Sequence, residues 1–275
     1  MTITLRRGRR ELIPALAPLW NALFEHHLFI GAAGLPTIPP AESWPLRRAH
    51  YERLAAELPG VSIWLAEDAG SPVGYALAYE DYVSGARAQV LETLSVLPAA
   101  RGTGLGSRLM DAVDGEALAR GIRVAAVDVL GGNERARNLY LRRGYLPYSE
   151  SWMRCRISER RADFPDAAVL SEMRAHADAL GFGLECSPGP DDTWVTPAEI
   201  VELSPPSAGA SPATTGWCAG EDASEALIGL CAALERSGRW AIRCEIPAAP
   251  DAAELRRFLG AEGFRVSTER LLRRA

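Results

Sequence analysis

Hydrophobic and polar positions in the first half of the chain follow two different periods. Apolar residues recur every second position in stretches typical of strands, and every third or fourth position in stretches typical of helices. Segments with proline or glycine separate these stretches and indicate turns. In order, the predicted elements are strand Ile3–Leu5, helices Leu12–Phe29 and Trp44–Leu58, strands Ser62–Glu67, Val73–Tyr82 and Arg87–Leu97, helix Ser107–Arg120, strand Val124–Val129, helix Asn133–Arg143 and strand Tyr148–Ile157.

The second half shows the same alternation over a shorter length. A charged segment at 158–164 predicts a linker between a domain at 1–157 and a smaller domain at 165–275. The Ser, Pro and Gly content of Ser204–Gly216 predicts a loop. The other predicted elements are helix Asp166–Leu180, two short strands, a further helix, strand Arg239–Ile246, helix Ala252–Leu259 and strand Phe264–Leu272.

Part of the second half matches part of the first. A shift of 117 positions places segment 121–129 over 238–246, and a shift of 119 positions places 144–154 over 263–273. The similar residues brought together are Asp128 with Glu245, Gly144 with Gly263, Tyr145 with Phe264, Glu150 with Glu269 and Arg154 with Arg273. Any strand–helix–strand unit resembles another, but two blocks separated by a two-residue change in length favour a decayed internal duplication.

Composition excludes several classes of protein. With 275 residues, 48% hydrophobic and 24% charged, the chain can form a packed core, and global disorder is excluded. The net charge of −5 argues against a general nucleic-acid binder. No apolar run reaches the roughly 18 residues of a membrane helix, and no secretory signal is found. The five cysteines form no CxxC pair, and the four histidines lack zinc-finger spacing. A reduced, cytoplasmic chain without a metal is therefore expected.

The segment Arg101–Gly106 (RGTGLG) lies between an apolar strand and a helix. Its glycines allow a tight turn that points successive backbone N–H groups at one place, and the helix N-terminus adds about half a positive charge. A pyrophosphate fits such a site, and Arg101 can add a charge-assisted hydrogen bond. A plain glycine-rich turn is the alternative. Two other phosphate loops fail, because a dinucleotide fingerprint needs glycine at Ser107 and a P-loop needs lysine, which the chain lacks.

Three stretches in order, LETLSVLPAARGTGLGSRLM, VAAVDVLGGN and NERARNLYLRRGY, resemble the GNAT acetyltransferase superfamily across residues 1–157. The family's phosphate motif, Arg/Gln-x-x-Gly-x-Gly/Ala, is met by Arg101, Gly104 and Gly106. Its next motif, Asn-x-x-Ala-x-x-x-Tyr followed by Gly-Phe/Tyr, is met by Asn133, Ala136, Tyr140, Gly144 and Tyr145. The resemblance implies an α/β GNAT fold with a splayed mixed sheet flanked by helices, and an N-acetyltransferase that uses acetyl-CoA. The repeat then implies a second, smaller GNAT-like α/β domain.

The resemblance also implies where acetyl-CoA binds. The loop would hold the pyrophosphate, and strand 90–97 would splay from strand 124–129 to admit the pantetheine arm. A backbone N–H near Leu94 to Val96 would meet the carbonyl oxygen. The expected CoA-binding residues are Leu94, Ser95, Val96, Arg101, Gly102, Thr103, Gly104, Leu105, Gly106, Ser107, Asn133, Ala136 and Tyr140.

Acetyl transfer to an amine needs a proton acceptor, since a free amine of pKa near 10 is mostly charged at pH 7. Glu92 and Asp128 are the candidate bases, one on each splayed strand, and a solvated carboxylate at a strand end is the alternative for each. By the resemblance, Tyr140 protonates the departing thiolate, with packing on the sheet as its alternative. No cysteine or serine falls in the matched motifs, so direct attack in a ternary complex is expected.

The acceptor is expected to be an amine of a small molecule. A protein N-terminus or lysine is one alternative, and a non-catalytic acyl-CoA sensor is another. Neither nucleic acid nor membrane is an expected partner, and self-association as a homodimer is left open. Surface or packing roles are expected for His26, His27 and His50, although they lie in helices that shape the acceptor pocket of such enzymes.

The second half is expected to bind no CoA. Under the two shifts Gly104 aligns with Glu221, and Tyr140 aligns with Leu259. A glutamate restricts the tight turn and adds negative charge where the pyrophosphate would lie. We therefore expect this half to cover the acceptor pocket or to mediate self-association.

Overall fold

Ten strands and seven α-helices make up the part of the chain that the structure describes. The computed structural model describes residues 3–30, 39–83, 85–156, 167–179, 183–187, 199–204, 221–237 and 240–274. The strands are β1 (Ile3–Gly8), β2 (Ser62–Asp68), β3 (Ser71–Val83), β4 (Ala86–Val96), β5 (Val124–Leu130), β6 (Leu146–Arg156), β7 (Gly183–Ser187), β8 (Glu199–Ser204), β9 (Trp240–Pro247) and β10 (Arg265–Arg274). The helices are α1 (Ala17–Ile30), α2 (Pro40–Glu57), α3 (Leu105–Ala119), α4 (Glu134–Arg142), α5 (Ala167–Ala179), α6 (Glu221–Ser237) and α7 (Ala253–Ala261).

The predicted helices and strands that fall on described residues are present, with small differences at their ends. One prediction is wrong in detail: the single helix at Leu12–Phe29 is a 3₁₀ helix, Arg10–Leu16, followed by α1. Pro14 lies inside that 3₁₀ helix, where it has no N–H to donate to an α-helical hydrogen bond. The predicted linker and nearly all of the predicted loop at Ser204–Gly216 lie outside the described residues. No described helix is long and apolar enough to cross a membrane.

All ten described strands join one mixed sheet, in the order β1-β2-β3-β4-β5-β10-β6-β9-β8-β7. Strand β10, from the second half of the chain, lies between β5 and β6 of the first half and is antiparallel to both. Strand β6 in turn pairs with β9 of the second half. Each half therefore places its last strand inside the other half, and the sheet continues across the boundary predicted at residue 157.

The exchanged strands β6 and β10 pair with each other and make matching contacts with the helices before them. Glu150 lies opposite Glu269 in the register, and these are two residues that the shift of 119 positions superposes. Arg137 of α4 forms an ion pair with Glu269 at 2.6 Å, and Arg256 of α7 forms one with Glu150 at 3.0 Å. Arg137 and Arg256 are themselves 119 positions apart. The same shift that relates the two sequence blocks thus also relates these two ion pairs.

Buried aromatic residues hold α1 and α2 on the sheet beside the end of β4. Trp20 and Tyr51 are fully buried, and Trp20 Nε1 donates a hydrogen bond to Ser43 Oγ at 2.7 Å. The Tyr51 hydroxyl lies 2.9 Å from the hydroxyl of Tyr75 in β3 and 2.7 Å from Thr93 Oγ1 in β4. Truncating a buried aromatic ring of this kind costs about 3–5 kcal/mol. Helix α2 is therefore firmly placed across the end of β4.

Candidate active site

The parallel strands β4 and β5 pair over only part of their length. Pairing begins at Ala88 and ends at Leu91, which lies opposite Val127. On its other side β4 pairs with β3, and there the register skips Glu92, which is the extra residue of a β-bulge. A bulge bends its strand and increases the local twist. The ends of β4 and β5 therefore splay apart, as the resemblance implies.

Two cavities meet at this splay. The larger cavity, of about 460 Å³, lies between α1 and α2 on one side and β5, β6 and β10 on the other. The smaller cavity, of about 310 Å³, lies beside the start of α3. Both cavities are lined by Leu23, Leu94, Asn133, Ala136 and Tyr140. A ligand in the smaller cavity can therefore present its end group to a second ligand in the larger one.

The glycine-rich loop lines the smaller cavity. Gly102 (φ +82°) and Gly104 (φ +80°) have left-handed backbone conformations, and a Cβ at either position would meet no atom within 4 Å. Helix α3 begins at Leu105, and its first turn has neither an acidic residue nor a side-chain cap. The first N–H groups of α3 have no partner within the helix. They make this loop a site for an anionic group.

Positive charge dominates the described lining of the smaller cavity. It contains Arg101, Arg135 and Arg142, and it contains no aspartate or glutamate. Burial and then the charge of Arg135 lower the pKa of Arg101. Burial, and then the charges of Arg101 and Arg135, lower the pKa of His26. Cations that destabilise one another in this way indicate a place where a bound anion is stabilised.

Two of the predicted CoA-binding residues, Ser95 and Thr103, line neither cavity. Ser95 Oγ donates a hydrogen bond to the Leu19 carbonyl at 3.0 Å and ties β4 to α1. Thr103 Oγ1 donates to the Ala100 carbonyl at 2.8 Å and shapes the loop. The other predicted CoA-binding residues each line at least one cavity.

Backbone groups at the end of β4 face the splay. The Leu97 N–H donates to the Val73 carbonyl at 2.9 Å, on the β3 side. Since successive strand residues direct their backbone groups to opposite sides, Leu94 and Val96 direct theirs toward the gap. The Val96 carbonyl accepts a hydrogen bond from Arg101 Nε at 3.0 Å, on that same side. Two strand N–H donors are thus directed into the gap between β4 and β5.

Glu92 lines the larger cavity with one carboxylate oxygen engaged. Its Oε1 accepts hydrogen bonds from Arg47 Nη1 and His50 Nε2, each at 2.8 Å. Burial acts to raise the pKa of this carboxyl, but the His50 hydrogen bond and the Arg47 charge outweigh burial and lower the pKa. The second oxygen, Oε2, accepts no hydrogen bond from the described residues. Glu92 is therefore an ionised carboxylate with one oxygen open to a ligand.

The ring of His50 is oriented from both sides. Arg53 Nη2 lies 3.2 Å from His50 Nδ1. Because a guanidinium only donates, Nδ1 accepts this bond and Nε2 carries the proton that bonds Glu92. His50 therefore contacts a candidate base in the larger cavity, which the expected surface or packing role did not include. His27 and His26 also line cavities, the larger and the smaller one respectively. Helical spacing could place these rings on α1 and α2, but nothing local identifies a partner that is 42 residues away.

Asp128 lies at the end of β5, and both of its oxygens are bound by one arginine. Arg270 Nε lies 2.8 Å from Oδ1, and Arg270 Nη2 lies 2.7 Å from Oδ2. This bidentate geometry is the strongest form of an arginine–carboxylate pair. The hydrogen bond to Asp128 is the main cause that raises the pKa of Arg270. Arg270 belongs to β10, and sequence reasoning did not identify it.

Tyr140 lies where the two cavities meet and is 5% exposed. Burial raises the pKa of its phenol, and the neighbouring Tyr145, whose ring centre is 5.7 Å away, adds to this effect. The hydroxyl therefore keeps its proton at neutral pH. Asn133 caps α4, because its Oδ1 accepts a hydrogen bond from the Ala136 N–H at 3.2 Å. This cap fixes the start of the helix that carries Tyr140.

Comparisons with known proteins agree with this geometry. The sequence model of the Acetyltransferase (GNAT) family matches residues 20–145. No curated protein sequence matches the chain. Among solved structures, a GCN5-related N-acetyltransferase from Sphaerobacter thermophilus is 17% identical, with 99% of this chain and 95% of that chain covered and a TM-score of 0.53. This likeness shows that both halves of the chain share their fold with one protein of similar extent.

Two further structures match a shorter part of the chain. The PaiA N-acetyltransferase from Thermoplasma acidophilum, in complex with coenzyme A, is 16% identical, with 54% of this chain and 91% of that chain covered and a TM-score of 0.43. Naa50 from Arabidopsis thaliana, in complex with the bisubstrate analogue CoA-Ac-MVNAL, is 22% identical, with 54% and 85% covered and a TM-score of 0.37. Residues 20–145 therefore match the GNAT family of acetyltransferases, and this segment contains both the splayed strands β4 and β5 and the glycine-rich loop before α3.

Proposed function

We propose that the chain is an N-acetyltransferase that acetylates an amine of a small molecule by direct attack in a ternary complex. The observation that carries this proposal is the meeting of the two cavities at the splay of β4 and β5. The smaller cavity has the charge and loop geometry for a pyrophosphate, and the larger cavity contains the candidate bases Glu92 and Asp128. Both substrates can therefore be bound at once, with their reactive groups side by side.

The smaller cavity fits the co-substrate. Gly102 and Gly104 leave open space where side chains would otherwise stand, so the backbone can approach a pyrophosphate closely. Arg101 and Arg135 add positive charge at the same place. Acetyl-CoA supplies a thioester whose carbonyl carbon accepts the amine and whose thiolate departs.

Glu92 and Asp128 remain the candidate bases. Only Glu92 has an oxygen that accepts no hydrogen bond from the described residues, while one guanidinium binds both Asp128 oxygens. We assign Glu92 Oε2 as the acceptor of the amine proton. Its lowered pKa means that this oxygen is ionised and ready at neutral pH. Asp128 is assigned an orienting and electrostatic role.

The remaining steps use groups on the other side of the splay. The N–H groups of Leu94 and Val96 stabilise negative charge on the carbonyl oxygen as the new carbon–nitrogen bond forms. Tyr140 donates its proton as the carbon–sulfur bond breaks. A phenol of raised pKa beside a desolvated thiolate of ordinary pKa about 8.5 can make this transfer because the thiolate is also destabilised by burial.

A small acceptor is favoured by the setting of the larger cavity. Helices α1 and α2 close one side, and strands β6, β9 and β10 contribute residues to the other. A cavity of about 460 Å³ accommodates a small molecule. A protein N-terminus or lysine is the alternative, since a bisubstrate analogue containing the peptide sequence MVNAL is bound by the Arabidopsis Naa50.

The test measures free thiol released from acetyl-CoA by the full chain, with amino acids, polyamines, aminoglycosides and short peptides as acceptors. Turnover with one class of small amine above that with peptides supports the proposal. Turnover with peptides alone supports the protein-acceptor alternative. Binding of acetyl-CoA without thiol release, including in cell extract with labelled acetyl-CoA and mass spectrometry, would instead support a sensor.

A further inference from the structure

The end of β5 is held by the second half of the chain. Strand β4 leaves β5 after Val127. Beyond that point β5 pairs with β10, where Asp128 lies opposite Arg270 and Leu130 lies opposite Thr268. The backbone groups of a strand need a neighbouring strand to satisfy them. Among the described strands, β10 alone therefore fixes the part of β5 that carries Asp128.

The Arg270 side chain extends this control from the backbone to the carboxylate. Its guanidinium donates one hydrogen bond to each Asp128 carboxylate oxygen, at 2.8 and 2.7 Å. The negative charge of Glu245 in β9 also stabilises the guanidinium, after the larger effect of Asp128. A planar guanidinium fixes the plane of a carboxylate as well as its position. The orientation of Asp128 thus depends on a residue 142 positions away.

The exchanged strands also form part of the wall of the larger cavity. Ser267 and Thr268 of β10 line it together with Ser151 and Met153 of β6. Ser267 Oγ donates a hydrogen bond to the Ser151 carbonyl at 2.9 Å, which joins the two strands at the cavity. A ligand in the larger cavity therefore faces residues from both halves of the chain.

We infer that the second half completes the active site of the first, and that Arg270 is the positioning residue through which it acts on Asp128. Arg270 does not line either cavity, so its effect passes through the carboxylate that it holds. This inference rests on the proposed function, in which Asp128 orients the acceptor. It gives the second half a role in catalysis although its own pyrophosphate loop is replaced.

A double-mutant cycle tests this inference in the full chain, with kcat/KM for the best acceptor of the panel as the measurement. Arg270→Gln is expected to lower kcat/KM about tenfold, because a displaced orienting group misaligns the substrate. Arg270→Lys keeps the positive charge but cannot form the bidentate hydrogen bonds, so its kcat/KM is expected to lie between those of the wild type and Arg270→Gln. In an Asp128→Asn background, Arg270→Gln is expected to change kcat/KM less than twofold. Arg265→Gln, at an exposed position of the same strand, is the control and is expected to leave kcat/KM unchanged.

Thermal unfolding of every variant separates positioning from folding. A loss caused by Arg270→Gln in both the wild-type and the Asp128→Asn background would overturn the inference, as would full activity of Arg270→Gln. If Arg270→Gln does not fold, the cycle is made with Arg270→Lys, and equal losses in the two backgrounds overturn the inference. Absence of transfer by the wild-type chain to every amine would instead refute the proposed function. The two failures are therefore distinct.

Discussion

Glu92 and Asp128 lie on neighbouring strands directly after the last pair that joins β4 to β5, yet their surroundings give them different chemistry. Glu92 shares one oxygen between Arg47 and His50 and keeps the other for a ligand. Both carboxylate oxygens of Asp128 accept hydrogen bonds from Arg270. Two carboxylates that look equivalent in the sequence are therefore assigned different roles, and only their partners distinguish them.

The pH dependence of turnover tests the choice between these acids. Since the pKa of Glu92 is lowered, this carboxylate stays ionised at pH 5 and above. Glu92→Gln is nearly isosteric and removes the proton acceptor, so we expect kcat at pH 7 to fall about 10²-fold or more. The loss should shrink as the pH approaches the pKa of the acceptor amine, because more amine then arrives uncharged. Asp128→Asn is the matched comparison, and a pH-rate profile altered in that variant alone would reverse the assignment.

Tyr140 is predicted to act as a proton donor and not as a binding group. Tyr140→Phe keeps the ring that packs near Tyr145 and removes the hydroxyl. We expect kcat to fall about 10²-fold or more, with little change in the affinity for acetyl-CoA measured by titration calorimetry. Tyr145→Phe is the control, because its hydroxyl lines neither cavity. Unchanged turnover of Tyr140→Phe at saturating acceptor, with the chemical step shown to limit the rate, would remove this role.

His27 is predicted to make the folded state sensitive to acid. Burial lowers its pKa to about 3 in the folded chain, whereas the ordinary value in an unfolded chain is about 6.5. As the pH falls, the unfolded state therefore takes up the proton before the folded state does. The contribution of His27 to the free energy of unfolding is fully present above pH 6.5 and decreases as the pH falls toward 3. The loss from this group is about 2 kcal/mol at pH 5.

Urea unfolding of the wild type and His27→Gln at pH 7.5 and pH 5 measures this effect. The variant should show a smaller decrease in the free energy of unfolding between the two pH values. His26→Gln is the control and should reduce the decrease less, since its ring is less buried. Equal decreases in the wild type and His27→Gln would show that other groups control acid stability.

At the scale of elements, the turn into α3 is predicted to determine binding of the co-substrate. Gly104→Glu places a side chain at a left-handed φ and adds negative charge at the helix N-terminus, so we expect acetyl-CoA binding to be lost. Gly121→Glu is a matched control, because Gly121 also has a positive φ (+75°) and open space around its Cβ but lies at the opposite end of α3. Titration calorimetry should give one site per chain in the wild type and in the control. Two sites, or binding that survives in Gly104→Glu, would show that the second half binds CoA.

At the scale of the whole molecule, the exchanged strands make the two halves interdependent. Strand β10 lies between β5 and β6, which both belong to the first half. Strand β6 lies between β10 and β9, which both belong to the second half. Separating the halves would break these pairings together with the ion pairs Arg137–Glu269 and Arg256–Glu150. The predicted domains at 1–157 and 165–275 are therefore proposed as units of duplication and not as independently folding units.

A cleavable linker tests this interdependence. Residues 159–164 are replaced by a protease recognition sequence, and the purified full chain is then cut. We expect the two halves to elute together in size-exclusion chromatography and to keep acetyl transfer, since the strand pairing survives the cut. The uncut protein is the control. Halves that separate without denaturant would contradict the prediction.

Much of the fold and of the lining of the candidate co-substrate site could be predicted from the sequence, because their determinants are local. The helices and strands follow from periodicity within short windows. The loop Arg101–Gly106 combines its glycines with the helix that follows directly, so the anion site needs no distant residue. The motif that contains Asn133 and Tyr140 spans a single helix and its cap. Glu92 and Asp128 could be named as acids at strand ends from the same short stretches.

Other features were decided by the tertiary structure, because their partners are far apart in the chain. His50 meets Glu92 across 42 residues, and Arg270 meets Asp128 across 142. The similarity of Glu150 to Glu269 could be found in the sequence, but their pairing at the centre of one sheet could not. A strand that carries hydrophobic alternation has no local signal for which strand it joins, since pairing depends on long-range packing and hydrogen bonding. The sequence by itself predicted the elements and a candidate site for acetyl-CoA, whereas the tertiary structure decided that both halves of the chain line the cavity beside that candidate site.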